Sequence, residues 1–133
     1  MGDCIMAFWN APLDEEKHAE KAVQAALEMR LGLQELNNVL QHERGIEINT
    51  GIGINTGPCI VGNMGSSSRF DYSVIGDAVN LASRLEGQCK DYNTDLIISE
   101  ATMKQAVLNE YDKLGEVTVK GKSEPVSIFT IQK

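Results

Sequence analysis

The spacing of apolar residues changes abruptly at Gly45, and this change constrains the fold more than any other feature of the sequence. Upstream, apolar residues recur at steps of three and four, which predicts one face of a long helix that Asp14 caps and Gly45 ends. Downstream, Ile46 to Ile54 show strict alternation of apolar and polar or glycine residues, which predicts a strand. The helical positions are Ala19, Ala22, Val23, Ala26, Met29, Leu33, Leu36 and Leu40.

Shorter patterns predict the remaining elements. An apolar run from Cys4 to Trp9 predicts a buried strand, and Cys59 to Val61 predicts a second strand, related by a hairpin to the strand before Gly57-Pro58. The other predicted elements are a strand at 72–75, a helix from Gly76-Asp77, a strand at 95–98, a helix from Ser99 to about Val107, and a closing hairpin of 114–119 with 126–131. The order β-α-β-β-β-α-β-α-β-β predicts one α+β domain over residues 1–133, with a mostly antiparallel sheet and helices on one side.

Composition narrows the function classes. With 12 Lys and Arg against 19 Asp and Glu, the net charge is −7, which disfavours a nucleic-acid partner. A small nucleotide remains compatible with this charge, because a bound divalent cation reverses the local sign. The three cysteines form no CxxC pair and favour a reducing, cytoplasmic setting. No apolar run approaches the roughly 20 residues of a membrane span, so no direct membrane contact is expected from this segment.

Four polar residues stand out as candidates for chemistry. Asn80 and Arg84 are four apart and share one face of a predicted helix, an arrangement that suits an anionic ligand. Asp3, at the mouth of a strand, is a candidate cation ligand, and Lys120, beside Gly121, a candidate phosphate contact. Each candidate also has a non-functional interpretation. Asn80 and Arg84 would be solvated helix residues, Asp3 a turn aspartate and Lys120 a charge at a hairpin tip. Glycines 51, 53 and 57 do not match a dinucleotide fingerprint, because the third comes one position late.

Longer stretches resemble a known family. GDCIMAFWNAP at 2–12, GIGINTGPCIVGNMGSSSRFDYSVIGDAVNLASRLE at 51–86 and VKGKSEPVSIF at 119–129 resemble class III adenylyl/guanylyl cyclase catalytic domains of the bacterial type. The resemblance implies a ferredoxin-like cyclase fold and assigns roles by position. Asn80 would position the ribose and Arg84 would stabilise the α-phosphate in the transition state. Lys120 would contact the terminal phosphates, and Asp3 would be one of two metal-binding aspartates.

The same resemblance places Ser73 where the family reads the base and Val74 in the purine pocket. It implies conversion of ATP to 3′,5′-cyclic AMP and diphosphate, with ATP favoured over GTP. Two Mg²⁺ or Mn²⁺ ions would serve each complete site. The site would form between two subunits of a homodimer or oligomer. The implied location is cytoplasmic, as the catalytic part of a larger protein with or without a membrane anchor.

One departure from the family pattern lies at the start of the chain. A full domain of this family opens with a strand that carries the first metal aspartate, and a base-specifying lysine precedes the Gly2-Asp3 pair. Neither motif occurs in these 133 residues. We therefore expect these residues alone not to cyclise ATP at a normal rate, and to self-associate through exposed strand edges. The alternative is a non-catalytic, cyclase-like nucleotide-binding or regulatory module.

Overall fold

The computed structural model describes residues 4–64, 71–119 and 124–132. Within these ranges, helices and strands alternate in the α+β manner that the sequence predicts. In chain order the elements are α1 (His18–Arg44), β1 (Ile52–Ile54), β2 (Ile60–Met64), β3 (Asp71–Ile75), α2 (Asp77–Gly87), β4 (Leu96–Ser99), α3 (Glu100–Gln105), β5 (Asp112–Val117) and β6 (Val126–Thr130).

The strands form a four-stranded sheet and a separate two-stranded ribbon. The sheet has the order β1-β4-β6-β5, in which β1 runs parallel to β4 and the other two pairings are antiparallel. The ribbon pairs β2 with β3 in antiparallel register, with Ser73 opposite Gly62 and Val74 opposite Val61. Three of the four strand pairings are thus antiparallel, which confirms the predicted character of the sheet.

Helices cover both faces of the four-stranded sheet, so the expectation of helices on one side was wrong. Leu96 and Ile98 of β4 pack in a cluster with Val23 of α1, whereas Ile97 between them packs in a cluster with Leu85 of α2. Successive side chains of a strand point to opposite faces. Because all four residues of β4 are apolar or small and are buried, this strand supports a helix layer on each side.

Only the first part of α1 is buried. Ala19, Ala22, Val23 and Ala26 are the buried residues of the helix, whereas Met29 and Leu36 are about half exposed. The predicted end is confirmed, since Gly45 adopts the left-handed conformation that closes a helix. The predicted start is wrong. The Lys17 N–H, which an Asp14 cap would bind, donates instead to Glu15 Oε1 at 3.1 Å, and the helix begins at His18, beyond Asp14.

Three strand predictions also need correction. Residues 4–9 form no strand, and Ile5 is 91% exposed, because no described strand offers this run a hydrogen-bonding neighbour. Of the alternating segment 46–54, only Ile52–Ile54 pairs with a strand, and it pairs with β4. The strand after Gly57-Pro58 does not fold back on β1; it pairs forward with β3.

None of the helices in the described ranges is both long and apolar enough to cross a membrane.

Candidate active site

Ser73, Asn80 and Arg84 lie on the two elements that meet where β3 turns into α2. Gly76 occupies this corner with φ 149° and ψ 169°, a conformation essentially restricted to glycine. Its carbonyl accepts hydrogen bonds from the Val79 and Asn80 N–H groups, each at 3.1 Å, and so opens the helix. The predicted helix start at Gly76-Asp77 is confirmed. Ser73 and Asn80 therefore sit on two elements joined by one conformationally restricted residue.

The inner face of α2 rests on glycines of and around β1. A Cβ built on Gly53 would overlap the Ala82 carbonyl and the Glu86 backbone, and one on Gly57 would lie 2.9 Å from the Ala78 Cβ. A Cβ built on Gly51 would lie 3.2 Å from the Cys89 Cβ, which is also a tight contact. The glycines that fail as a dinucleotide fingerprint thus have a packing role, because they let the helix backbone approach the strand closely.

The outer face of α2 carries the two leading candidates. Asn80 and Arg84 are both exposed, one turn apart, while Leu85 on the opposite side is fully buried. The Arg84 guanidinium donates from Nη1 to the Thr118 carbonyl at 2.6 Å. Thr118 follows β5 directly, so Arg84 points toward the connection between β5 and β6. The helix therefore presents an amide and a cation on one solvent-facing surface.

Ser73 and Val74 point to opposite faces of the ribbon, as neighbouring residues of a strand do. Ser73 is half-buried, and a Cβ on Gly62 opposite it would meet no described atom within 4 Å. The ribbon is thus open on the face that carries the Ser73 hydroxyl. Val74 is 5% exposed and lies on the other face, where it pairs with Val61. Its assignment to a purine pocket stays a prediction.

Two of the predicted site residues, Asp3 and Lys120, lie outside the described residues. Lys120 follows the Arg84 contact at Thr118 by two positions in sequence. Within ranges 4–64, 71–119 and 124–132, no three His, Cys, Asp or Glu side chains group closely enough to hold a metal ion. The described side chains therefore supply no metal centre of their own.

Sequence reasoning did not identify two groups that support this surface. The Thr118 carbonyl holds Arg84, and a backbone contact of this kind leaves no trace in residue types. Asn55, which follows β1, donates from Nδ2 to the Ala78 carbonyl at 2.9 Å. Its one signal in the sequence is a polar amide directly after an apolar strand.

Comparison with known proteins connects this geometry to a family. The family model described as "Adenylate and Guanylate cyclase catalytic domain" matches residues 1–133, the whole chain. Adenylate cyclase 1 of Rhizobium meliloti (strain 1021) is 37% identical over 131 residues, which cover 98% of this chain and 20% of that protein. The chain thus spans about a fifth of the length of this relative.

Solved structures agree with the sequence match. The adenylyl cyclase CyaB from P. aeruginosa superposes with a TM-score of 0.75 at 32% identity, covering 95% of this chain and 65% of that one. The guanylyl cyclase Cya2 superposes with a TM-score of 0.73 at 35% identity, covering 91% and 61%. The match along the entire chain and the shared fold together show that this chain belongs to the adenylate and guanylate cyclase catalytic domain family.

Proposed function

We propose that this chain is the catalytic part of a nucleotide cyclase that converts ATP to 3′,5′-cyclic AMP and diphosphate. The observation that carries the proposal is the pair on α2. Asn80 and Arg84 are exposed one turn apart on a helix whose other face is held against Gly53 of β1. A pair held on a rigid support suits transition-state binding, because the donors need no reorganisation when charge develops.

Each residue has a defined part in the proposed reaction. The ribose 3′-oxygen forms a bond to the α-phosphorus, the bond from that phosphorus to the bridging oxygen of diphosphate breaks, and the 3′-hydroxyl proton leaves to solvent. Asn80 orients the ribose through its amide. Arg84, which is planar and always charged, binds the α-phosphate oxygens as negative charge builds on them. Lys120 contacts the terminal phosphates that depart.

The exposure of the pair supports a site completed by a second subunit. A charge surrounded by bulk water contributes little to binding, because its interactions are screened. A homodimer whose partner covers α2 would exclude water and strengthen the interaction of Arg84 with phosphate. The chain would then act as a dimer, with Asp3 and α2 of opposite subunits facing each other.

The cyclase family is generally metal-dependent. We assign Mg²⁺ or Mn²⁺ as the ions and Asp3 as the ligand that this chain contributes. When bound, the metal would lower the charge of the triphosphate and activate the attacking oxygen. A cytoplasmic location, where ATP and Mg²⁺ are abundant, accords with this assignment.

The residue that contacts the base, Ser73 in this proposal, determines whether ATP or GTP is the substrate. Relatives at similar identity carry the names adenylyl cyclase and guanylyl cyclase, so overall similarity does not decide the base. Ser73 presents a hydroxyl on the open face of the ribbon, and a hydroxyl both donates and accepts. We propose that Ser73 contributes to the recognition of adenine.

The test uses the complete purified protein with ATP or GTP and either Mg²⁺ or Mn²⁺. Cyclic nucleotide is measured by mass spectrometry. We expect cyclic AMP from ATP, and its loss in Asn80→Ala but not in Ser83→Ala, an exposed neighbour on the same helix. If cyclic GMP is the main product, the substrate is GTP and the proposed recognition of adenine is wrong. Binding of ATP with no product in either metal would overturn the proposal in favour of a non-catalytic nucleotide-binding module.

A further inference from the structure

The side chain of Asn55 joins the end of β1 to the first turn of α2. Its Nδ2 donates to the Ala78 carbonyl at 2.9 Å in a partly buried contact. Ala78 is the second residue of α2, two positions before Asn80 and six positions before Arg84. The amide at the strand end therefore fixes the first turn of the helix that carries the proposed catalytic pair.

The helix needs a directional contact of this kind. Its packing surface on β1 consists of glycines, which set the distance between helix and strand by van der Waals contact. Leu85, in the second half of α2, interlocks with Ile97 of β4, but the first turn faces Gly57, which has no side chain to resist its movement along the helix axis. The N-cap residue, Gly76, supplies no side-chain hydrogen bond either. A hydrogen bond is directional and fixes the axial position.

We propose that Asn55 is a positioning residue for the cyclase reaction: its amide sets the axial position of α2, and thereby where Asn80 and Arg84 meet the nucleotide. This inference rests on the proposed function. Asn55 acts through the Ala78 carbonyl and does not itself touch substrate. Misplacement of a catalytic group by about 1 Å commonly costs on the order of a hundredfold in rate.

The next residue provides a matched control. Thr56 follows Asn55, but its side chain contacts α3 instead of α2. Its Oγ1 lies 2.8 Å from the Oγ1 of Thr102 on α3, within hydrogen-bond distance. Thr56→Val removes this hydrogen bond with little change of shape. The Thr102 hydroxyl keeps a second partner, Ser99 Oγ at 3.1 Å. Comparing variants of Asn55 and Thr56 therefore distinguishes the loss of any hydrogen bond in this segment from the loss of the contact with α2.

Three substitutions at Asn55 isolate the donor. Asn55→Asp keeps the shape but places a carboxylate against the Ala78 carbonyl, and Asn55→Ala removes the donor without adding charge. Asn55→His restores a donor, because the ring Nδ1–H lies at the same distance from the backbone as the amide nitrogen. The complete protein and each variant are compared for kcat, KM for ATP and melting temperature.

We expect Asn55→Asp and Asn55→Ala to lose about tenfold to a hundredfold in kcat with KM for ATP unchanged, as for groups that act only in the transition state. Asn55→His should recover most of the rate. Thr56→Val should keep the wild-type kcat, even if its melting temperature falls as far as those of Asn55→Asp and Asn55→Ala. Should Asn55→Asp fail to fold, Asn55→Ala decides.

The inference fails if the folded Asn55 variants retain the kcat of Thr56→Val, or if Asn55→His is as slow as Asn55→Ala. It also fails if only KM changes. An inactive wild-type protein would instead count against the proposed function. The two failures are thus distinguishable.

Discussion

The Arg84 guanidinium donates to the backbone carbonyl of Thr118 across 2.6 Å, which joins α2 to the chain leaving β5. The contact directs an exposed cation toward the connection that contains Lys120. Four of the donor hydrogens of a guanidinium are still available when one is engaged, since the group carries five. The arrangement holds Arg84 in place while leaving it able to bind phosphate.

Replacing Arg84 with alanine should reduce catalysis without unfolding the domain. We expect kcat to fall about 10²–10³-fold, the usual effect of removing one preorganised donor at a developing charge. The residue is exposed but donates to the Thr118 carbonyl, so the free energy of unfolding should fall by no more than about 1.5 kcal/mol. Steady-state kinetics and urea denaturation of Arg84→Ala beside Ser83→Ala test this. A normal kcat in Arg84→Ala would remove the residue from the mechanism.

Gly53→Ala should destabilise the fold, because the new methyl group would overlap backbone atoms of Ala82 and Glu86 that cannot rotate away. We expect a loss of about 1–3 kcal/mol, the common cost of overpacking. Gly32→Ala is the control: at this position in α1 the new Cβ would meet no described atom within 4 Å outside its own stretch of helix. It should stabilise the protein by about 0.5–1 kcal/mol through helix propensity. Equal effects of the two substitutions in urea denaturation would contradict the close packing of α2 on β1.

Arg30→Met should loosen the exposed half of α1. Arg30 forms a two-point contact with Asp95, from Nη2 to Oδ1 at 2.7 Å and from Nε to Oδ2 at 3.1 Å. Its side chain is only 10% exposed, so water screens the pair poorly. We expect a loss of about 1–3 kcal/mol, below the cost of breaking a fully buried pair. A double-mutant cycle with Asp95→Asn measures the coupling, and additive effects would show that the pair contributes nothing.

Cys89 should resist alkylation in the folded protein. Burial raises the pKa of its thiol above the ordinary value of 9.0, because the thiolate would lose its hydration. At mildly alkaline pH we expect iodoacetamide to modify the exposed Cys4 and Cys59 and to reach Cys89 only in denaturant. Peptide mass spectrometry gives the site of modification, and rapid native labelling of Cys89 would contradict its burial.

The same pKa difference predicts the direction of a pH effect on stability. The unfolded thiol ionises near its ordinary pKa, while the folded thiol, whose pKa burial raises, stays protonated to higher pH. Deprotonation therefore favours the unfolded state, and the contribution of Cys89 should be fully present below the unfolded pKa and decline above it. Cys89→Ala should lack this component in denaturation curves measured across the alkaline range.

The sequence by itself determined the features that depend on local periodicity and capping. The two faces of α2, the left-handed end of α1 at Gly45, the Ser99 cap of α3 and the β5–β6 hairpin all follow from residues within a few positions of each other. The position of Asn80 and Arg84 on one exposed face belongs to this class, since 3.6 residues per turn place them together.

Only the tertiary structure decided which strands pair and which apolar residues are buried. The alternation of 46–54 is the same along its length, yet only Ile52–Ile54 finds a neighbour in β4. The helical stripe of α1 is continuous, yet its buried residues all lie in the first half, and the second half contacts the following chain through polar groups such as Asn37, which bonds the Ile48 backbone. The contacts of Arg84 with Thr118 and of Asn55 with Ala78 join residues far apart in the chain. Pairing and burial depend on such distant partners, and local sequence patterns do not specify them.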